Sequence, residues 1–132
     1  MDAKVMLVDD EEMIRESVQE FFQSEGITLL TAASGKECLE YLGNGFRGVI
    51  LMDVMMPDMN GWDTIRKIVA SDLYEGNIIV MLTALDAPDN KMDGIQEYVT
   101  DYLTKPFDPD ELMDILKYYF SLLTAVEPGN GQ

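Results

Sequence analysis

The sequence predicts an α/β domain whose parallel β-sheet is covered by helices on both faces. Two segments, Val49–Met52 and Ile78–Leu82, are continuous apolar runs that contain β-branched residues. Such runs are typical of strands that are buried on both faces of a parallel sheet. Shorter apolar segments alternate with amphipathic segments of helical spacing along the rest of the chain. This alternation favours right-handed βαβ crossovers and therefore a single parallel sheet.

Length and composition indicate one folded domain. The chain has 132 residues, of which 47% are hydrophobic and 26% charged, as in ordinary globular proteins. Cys38 is the only cysteine, which excludes an internal disulfide and a thiolate metal cluster and favours a reducing cytoplasm. No segment approaches the ~20 apolar residues of a transmembrane helix, and Met1–Lys4 does not open a signal peptide. We expect a cytoplasmic domain over residues 1–124 and a flexible tail over 125–132, with no membrane partner.

The charge balance excludes several classes of function. The chain carries 25 acidic and 9 basic residues, a net charge of −16, and has no histidine. Such a surface repels a phosphate backbone, so we expect no direct binding of nucleic acid. Without histidine, the Ser–His and Cys–His catalytic arrangements and histidine zinc sites are excluded. Solubility, or adaptation to a salty cytoplasm, explains the acidity better than an acidic docking surface does.

Each predicted strand is followed by a predicted helix. The strands are Lys4–Val8, Ile27–Thr31, Val49–Met52, Ile78–Thr83 and Tyr98–Thr104. The helices are Glu12–Ser24, a segment capped by Ser34 that ends near Gly43, Asp63–Ser71, Asp89–Glu97, and a last helix that begins at Asp108 or Pro109 and extends to about Leu123. Apolar residues three and four apart predict the first helix, and Ser34 with Glu37 forms a capping box for the second. The helix over Asp89–Glu97 is the weakest, because Gly94 costs ~1 kcal/mol relative to Ala.

Polar residues follow four of the predicted strands at their carboxyl ends. These are Asp9 and Asp10, Asp53, Thr83 and Lys105. Parallel strands bring their carboxyl ends to one edge, where open α/β sheets place ligands. Two carboxylates 4 Å apart repel by ~4 kcal/mol at an effective dielectric constant near 20, so the cluster must hold a proton or bind a cation. Oxygen ligands without histidine or cysteine favour Mg²⁺.

The same groups suit phosphoryl transfer. Mg²⁺ and Lys105 would neutralise the charge of a phosphoryl group, Thr83 would donate a hydrogen bond, and Asp53 would be the in-line nucleophile. Taken singly, each residue has a structural alternative. Asp9–Glu12 suits an acidic helix start, Asp53 a turn cap, Thr83 an ordinary strand position and Lys105 the protein surface.

The chain resembles a two-component response regulator receiver domain of the CheY-like superfamily, from Lys4 to about Leu123. The matching segments are Leu7–Glu11, Met52–Gly61, Leu82–Ala84 and Asp101–Phe107. The resemblance implies a flavodoxin-like (βα)5 fold, doubly wound, with strand order 2-1-3-4-5. It also implies that Asp53 accepts a phosphoryl group from a sensor histidine kinase. Asp10, Asp53 and the carbonyl of Met55 would bind Mg²⁺ directly, and Asp9 would act through water.

The resemblance further implies a conformational switch. Thr83 would turn toward the phosphoryl group, Lys105 would pair with it, and Tyr102 would move inward to signal to a downstream effector. The domain would catalyse only its own phosphorylation and dephosphorylation. A homodimer would use the face formed by the predicted helix Asp89–Glu97, the fifth strand and the last helix. One departure from the family, Glu97–Thr100 in place of a Gly-Ala turn, predicts an altered helix before it. Apolar Met55 and Leu85 are expected to prolong the phosphorylated state.

Three alternatives stay open at this point. The domain would instead pass its phosphoryl group to another histidine as a phosphorelay carrier, or serve only as a binding module in a degenerate receiver. The third, a metal-dependent phosphohydrolase, is disfavoured because Met55 stands where that superfamily has a second aspartate.

Overall fold

The computed structural model, which describes residues 4–84 and 94–125, has one parallel sheet with the order β2-β1-β3-β4-β5. Its strands are β1 Val5–Val8, β2 Leu29–Ala32, β3 Val49–Asp53, β4 Ile78–Thr83 and β5 Asp101–Thr104. All neighbouring pairs are parallel. The predicted sheet and its strand order are therefore confirmed.

Helices cover both faces of the sheet. The α-helices within the described ranges are α1 Glu12–Ser24, α2 Gly35–Gly43, α3 Gly61–Ala70 and α4 Pro109–Ala125. One apolar cluster joins α2 and α3 to strand residues such as Ile50 and Ile79. The other cluster joins α1 and α4 to Leu51 and Val80, which follow Ile50 and Ile79 in the sequence. Successive strand residues thus bury their side chains on opposite faces, as the continuous apolar runs predict.

The bounds of α1 and α4 agree with the prediction to within about two residues, and α2 carries the predicted capping box. The Ser34 hydroxyl accepts a hydrogen bond from the Glu37 N–H (3.2 Å), and the Glu37 carboxylate accepts one from the Ala33 N–H (2.9 Å). The α3 helix begins at Gly61, two residues before the predicted start. Asn60 caps it by accepting a hydrogen bond from the Asp63 N–H at 2.8 Å.

Three strands begin later than predicted: β1 by one residue, at Val5, and β2 and β5 by two and three residues. The Ile27 N–H donates to the Phe22 carbonyl (2.9 Å), so Ile27 belongs to the turn that follows α1, and β2 begins at Leu29. Tyr98 lies in a short 3₁₀ turn, Gln96–Tyr98, and β5 begins at Asp101. The Tyr98 ring packs edge-on against Tyr74, with ring centroids 5.0 Å apart. That contact holds Tyr98 in the helix layer rather than in the sheet.

The predicted helix over Asp89–Glu97 is wrong for its last four residues. Gly94 has φ +86, which a right-handed helix does not accommodate, and the 3₁₀ turn follows. The first part of that helix, residues 89–93, lies outside the described residues, as do Leu85 and residues 126–132 of the predicted tail. Ala125, the first residue of the tail predicted over 125–132, is instead the last residue of α4. Over residues 4–84 and 94–125, the protein has no helix with the length and apolar character that crossing a bilayer requires.

Candidate functional site

The carboxyl edge of the sheet brings together residues from four strands. Asp9 follows β1, Asp53 ends β3, Thr83 ends β4 and Lys105 follows β5. Backbone hydrogen bonds extend the sheet to this edge. The Asp9 N–H donates to the Ala32 carbonyl (3.1 Å), and the backbone N–H of Lys105 donates to the Thr83 carbonyl (2.7 Å). The predicted convergence is thus present, and Thr83 and Lys105 are direct backbone neighbours.

Three carboxylates form the centre of the site. Asp9, Asp10 and Asp53 each offer an oxygen within 4.8 Å of the others. Asp9 is fully buried and Asp53 is 4% exposed, whereas Asp10 is open to solvent. The cluster therefore has buried walls and one accessible side.

Lys105 is the cation of this cluster. Its Nζ lies 3.0 Å from Asp9 Oδ2 and 3.2 Å from Asp53 Oδ1. Burial lowers the pKa of Lys105, but hydrogen bonds and charge attraction to Asp9 and Asp53 outweigh burial and leave its pKa above the usual value. Lys105 is therefore protonated at neutral pH, and it links both buried carboxylates.

Asp53 shows that one lysine does not balance the site. Burial, followed by repulsion from Asp9, raises the pKa of Asp53 from 3.8 to about 6, although Lys105 and the Met55 N–H oppose this rise. Three carboxylates with one ammonium leave an excess of negative charge when all are ionised. The donor atoms are oxygens only, which suits a hard divalent cation such as Mg²⁺. The residues present therefore fit the predicted metal.

The remaining predicted residues lie around this centre. Met55 donates its backbone N–H to the Asp53 carboxylate, and its side chain is 70% exposed. Thr83 is buried beside the site, and Tyr102 on β5 is 38% exposed. The Tyr119 hydroxyl donates to Asp101 (2.9 Å) and so ties β5 to α4 just before Tyr102. The structure thus places every predicted site residue at or next to the carboxyl edge.

The sequence did not indicate two residues that help to position Asp53 and Asp9. Gly61 is the first residue of α3, and a Cβ there would lie 2.5 Å from the Asp53 carbonyl oxygen. Arg15 on α1 donates from Nη1 to the Asp9 carbonyl oxygen at 2.7 Å. The available signal for Arg15 was a basic residue in the first turn of a helix, where the macrodipole disfavours it.

Comparison with known proteins decides the family. The family model described as the response regulator receiver domain matches residues 5–117. The chain belongs to this receiver-domain family. The CheY-like fold and the place of the chain in two-component systems follow from this membership. Mg²⁺ binding is typical of such receivers.

Individual relatives agree with the assignment. The receiver is 34% identical to response regulator Rre1 of Synechocystis over 86% of its own length, and it spans 49% of that protein. It is 46% identical to a CheY-like receiver from Methanospirillum hungatei, with a TM-score of 0.87 and coverage of 92% and 97% of the two chains. The receiver domain of a Pseudomonas aeruginosa sensor kinase, PA1611, is 26% identical, with a TM-score of 0.77 over 92% and 99% of the chains, and holds a magnesium ion in its active-site cleft.

Receiver domains interact with histidine kinases and effectors, which agrees with the predicted kinds of partner. The phosphorelay-carrier and binding-module alternatives gain no support from these comparisons. The role of each site residue stays a prediction.

Proposed function

We propose that this receiver accepts a phosphoryl group on Asp53 from the phosphohistidine of a sensor kinase, in a reaction that requires Mg²⁺. The observation that carries the proposal is the contact of one ammonium, Lys105 Nζ, with both buried carboxylates of the oxygen cluster. A nucleophile, a fixed cation and a set of oxygen ligands at one accessible edge suit transfer of a dianionic group.

In the proposed step, a carboxylate oxygen of Asp53 attacks the phosphorus atom in line with the scissile N–P bond. The bond to the donor imidazole breaks as the Asp53 O–P bond forms, and the imidazole leaves with the electron pair and takes up a proton. Mg²⁺, when bound, neutralises phosphoryl charge. Lys105 donates to a phosphoryl oxygen and replaces part of its present contact with Asp53.

The metal ligands are proposed to be Asp10, Asp53 and the carbonyl of Met55, with Asp9 acting through water. The hydrogen bonds of Asp9 support this division. Its Oδ1 accepts from the Glu11 N–H (2.9 Å) and its Oδ2 accepts from Lys105. Both oxygens of Asp9 already have protein donors, and full burial leaves this side chain less accessible than Asp10.

Phosphorylation is proposed to shift a pre-existing equilibrium between two conformations. The Thr83 hydroxyl would bind the phosphoryl group, and Tyr102 would take a more buried position. The backbone bond from Lys105 to Thr83 supports coupling between β4 and β5. Exposed Tyr118 and Leu122 on α4, with Tyr102 on β5, are the proposed contacts for an effector or a second copy. We place the reaction in the cytoplasm, where ATP supplies the donor kinase.

The direct test is intact-mass measurement after incubation with phosphoramidate, with Mg²⁺ or with EDTA. The proposal predicts one phosphoryl adduct that forms only with Mg²⁺, in the wild type and in Asp58→Asn, whose changed residue is exposed on the loop between β3 and α3. Asp53→Asn is expected to give no adduct. Equal labelling of the wild type and Asp53→Asn would refute the assignment.

A groove beside the site is the proposed docking surface for the kinase. It lies between α1 and the start of α4, has a volume of about 520 Å³, and is lined mainly by apolar side chains, among them Met13, Ile14, Phe21, Phe107 and Leu112. Lys105 also lines it, so a helix seated there would lie next to the reacting carboxylate. An apolar groove of this kind suits the apolar face of an amphipathic helix from the partner.

Met13 provides a test of the groove because it is 79% exposed and its replacement leaves the core intact. Met13→Asp is expected to slow phosphoryl transfer from the fastest donor in a panel of autophosphorylated histidine kinases by about tenfold or more. Labelling by phosphoramidate is expected to remain at the wild-type rate. Leu122→Asp, at 41% exposure on α4, is the control. Equal slowing by both variants, or none by Met13→Asp, would exclude the groove.

A further inference from the structure

We propose that Arg15 is a positioning residue that orients the Asp9–Asp10 peptide and so sets the geometry of the oxygen cluster for a divalent cation. The inference rests on the proposed function only in taking that cluster as a metal site. Its central observation is the hydrogen bond from Arg15 Nη1 to the Asp9 carbonyl oxygen, at 2.7 Å. Arg15 does not touch the reacting atoms in this scheme and acts through the backbone.

Every polar group of Asp9 has a protein partner. Its N–H donates to Ala32 on β2 (3.1 Å), and its two carboxylate oxygens accept from Glu11 and Lys105. The carbonyl oxygen is the fourth group, and Arg15 is its donor. Asp9 is thereby bound to β2 through Ala32, to the residue before α1 through Glu11, to the residue after β5 through Lys105, and to α1 through the Arg15 side chain. Only the last of these attachments fixes the peptide that leads to Asp10.

Asp10 depends on that peptide for its position. The peptide group is planar, so holding the Asp9 carbonyl oxygen also holds the Asp10 nitrogen and the direction of its Cα. Asp10 is exposed, in contrast to Asp9 and Asp53, and therefore lacks the packing that would otherwise orient its carboxylate. We infer that loss of the Arg15 contact lets the Asp10 carboxylate move away from the other two.

The location of Arg15 favours a specific role over a general one. It lies in the first turn of α1, where its N–H donates to the Glu11 carbonyl and where the helix dipole disfavours a positive charge. The side chain spans six residues of sequence back to the loop, and its guanidinium reaches a buried residue. A lysine in its place would offer a single ammonium instead of a planar set of donors.

The test compares metal affinity in the full chain. Mn²⁺ binding by electron paramagnetic resonance, and competition with Mg²⁺, would be measured for the wild type and Arg15→Met, which keeps an apolar stem. Arg47→Met is the matched control. Arg47 also donates from Nη1 to a backbone carbonyl, that of Leu42 at 3.1 Å, but it precedes β3 at the opposite edge of the sheet. Both variants remove one positive charge; Arg15→Met also removes one arginine-to-carbonyl contact, and Arg47→Met removes two, to Leu42 and Phe46.

Arg15→Met is expected to raise the dissociation constant for Mg²⁺ about tenfold, because loss of a group that orients metal ligands typically weakens metal binding by at least that factor. Arg47→Met is expected to leave the dissociation constant within about twofold of the wild-type value. The difference is expected to persist from about 0.05 to 0.5 M KCl, where a long-range charge effect would be screened. At saturating Mg²⁺ the phosphorylation rate of Arg15→Met is expected to return to near the wild-type value. Circular dichroism checks that each variant is folded, and Arg15→Gln replaces Arg15→Met if the latter does not fold.

Wild-type affinity in the Arg15 variant, or equal weakening in Arg47→Met, would overturn the inference. The two proposals fail separately. If the wild type forms no phosphoryl adduct but Arg15→Met still weakens Mg²⁺ binding, the proposed function fails and the positioning role stands. If the adduct forms and Arg15→Met binds Mg²⁺ normally, only the positioning role fails.

Discussion

Replacement of Asp53 by asparagine is expected to stabilise the metal-free protein at pH 8 by about 1 to 3 kcal/mol while it abolishes phosphorylation. The reason is that Asp53 is buried next to Asp9, and its pKa is raised from 3.8 to about 6. Ionised Asp53 therefore costs free energy in the folded state that an uncharged amide of the same shape does not. Loss of the Lys105 contact offsets part of the gain, which is why the expected range reaches down to 1 kcal/mol.

The pH dependence has a definite sign. The folded state holds the Asp53 proton more tightly than the unfolded state, so the wild type loses stability as pH rises from about 4 to about 6 and keeps that loss above pH 6. The amide side chain of the Asp53→Asn variant does not titrate. The difference in the free energy of unfolding between variant and wild type is therefore expected to grow through this window and then to level off.

Urea unfolding in EDTA at pH 4 and pH 8 measures this difference. Asp58→Asn, which changes an exposed aspartate on the loop that follows β3, is expected to match the wild type at both pH values. Saturating Mg²⁺ is expected to stabilise the wild type more than Asp53→Asn. A variant less stable than the wild type at pH 8 in EDTA would contradict the electrostatic account.

Replacement of Lys105 by methionine is expected to have the opposite effect on stability and a large effect on chemistry. Its Nζ neutralises two buried carboxylates, Asp9 and Asp53. Removing one partner of a buried ion pair leaves an uncompensated charge and typically costs about 3 to 5 kcal/mol. Loss of a fixed charge at a transferring group slows such reactions by about 100-fold or more. We therefore expect Lys105→Met to be strongly destabilised in EDTA, partly rescued by Mg²⁺, and labelled by phosphoramidate about 100-fold more slowly.

The control for Lys105 is Lys117→Met, which removes an exposed lysine from α4. It is expected to unfold and to be labelled like the wild type. Phosphorylation of folded Lys105→Met at a rate within about tenfold of the wild type would show that Lys105 is not the cation that this step uses.

Local sequence patterns predicted the sheet well because both faces of its central strands are buried. Continuous apolar runs such as Val49–Met52 leave no solvent face to obscure the signal, and the turn residues that follow mark the strand end. The pattern failed at the edge strand β5. Tyr98 has high strand propensity, but its packing against Tyr74 and the 3₁₀ turn at Gln96 decide its position. Local sequence patterns predict neither the packing against Tyr74 nor this turn.

The central site residues were predictable because topology alone brings strand ends together. Asp9, Asp53 and Lys105 needed only the parallel order of the strands, and the structure joins them through the Lys105 ammonium. Gly61 and Arg15 needed more. Glycine is required at position 61 because α3 approaches the Asp53 carbonyl there too closely for a side chain. The role of Arg15 depends on a long side chain that reaches back to the loop at Asp9. Such contacts depend on three-dimensional distances that spacing in the sequence does not encode.

The central claim is that Asp53 becomes an acyl phosphate, and chemical mapping of the modified residue tests it most directly. The receiver would be treated with phosphoramidate and Mg²⁺, reduced with borohydride, which converts an aspartyl phosphate to homoserine, digested, and sequenced by mass spectrometry. The account predicts homoserine in place of Asp53 alone, and only when both the donor and Mg²⁺ are present. Homoserine in place of Asp9 or Asp10 instead, or an adduct that survives borohydride unchanged, would contradict it.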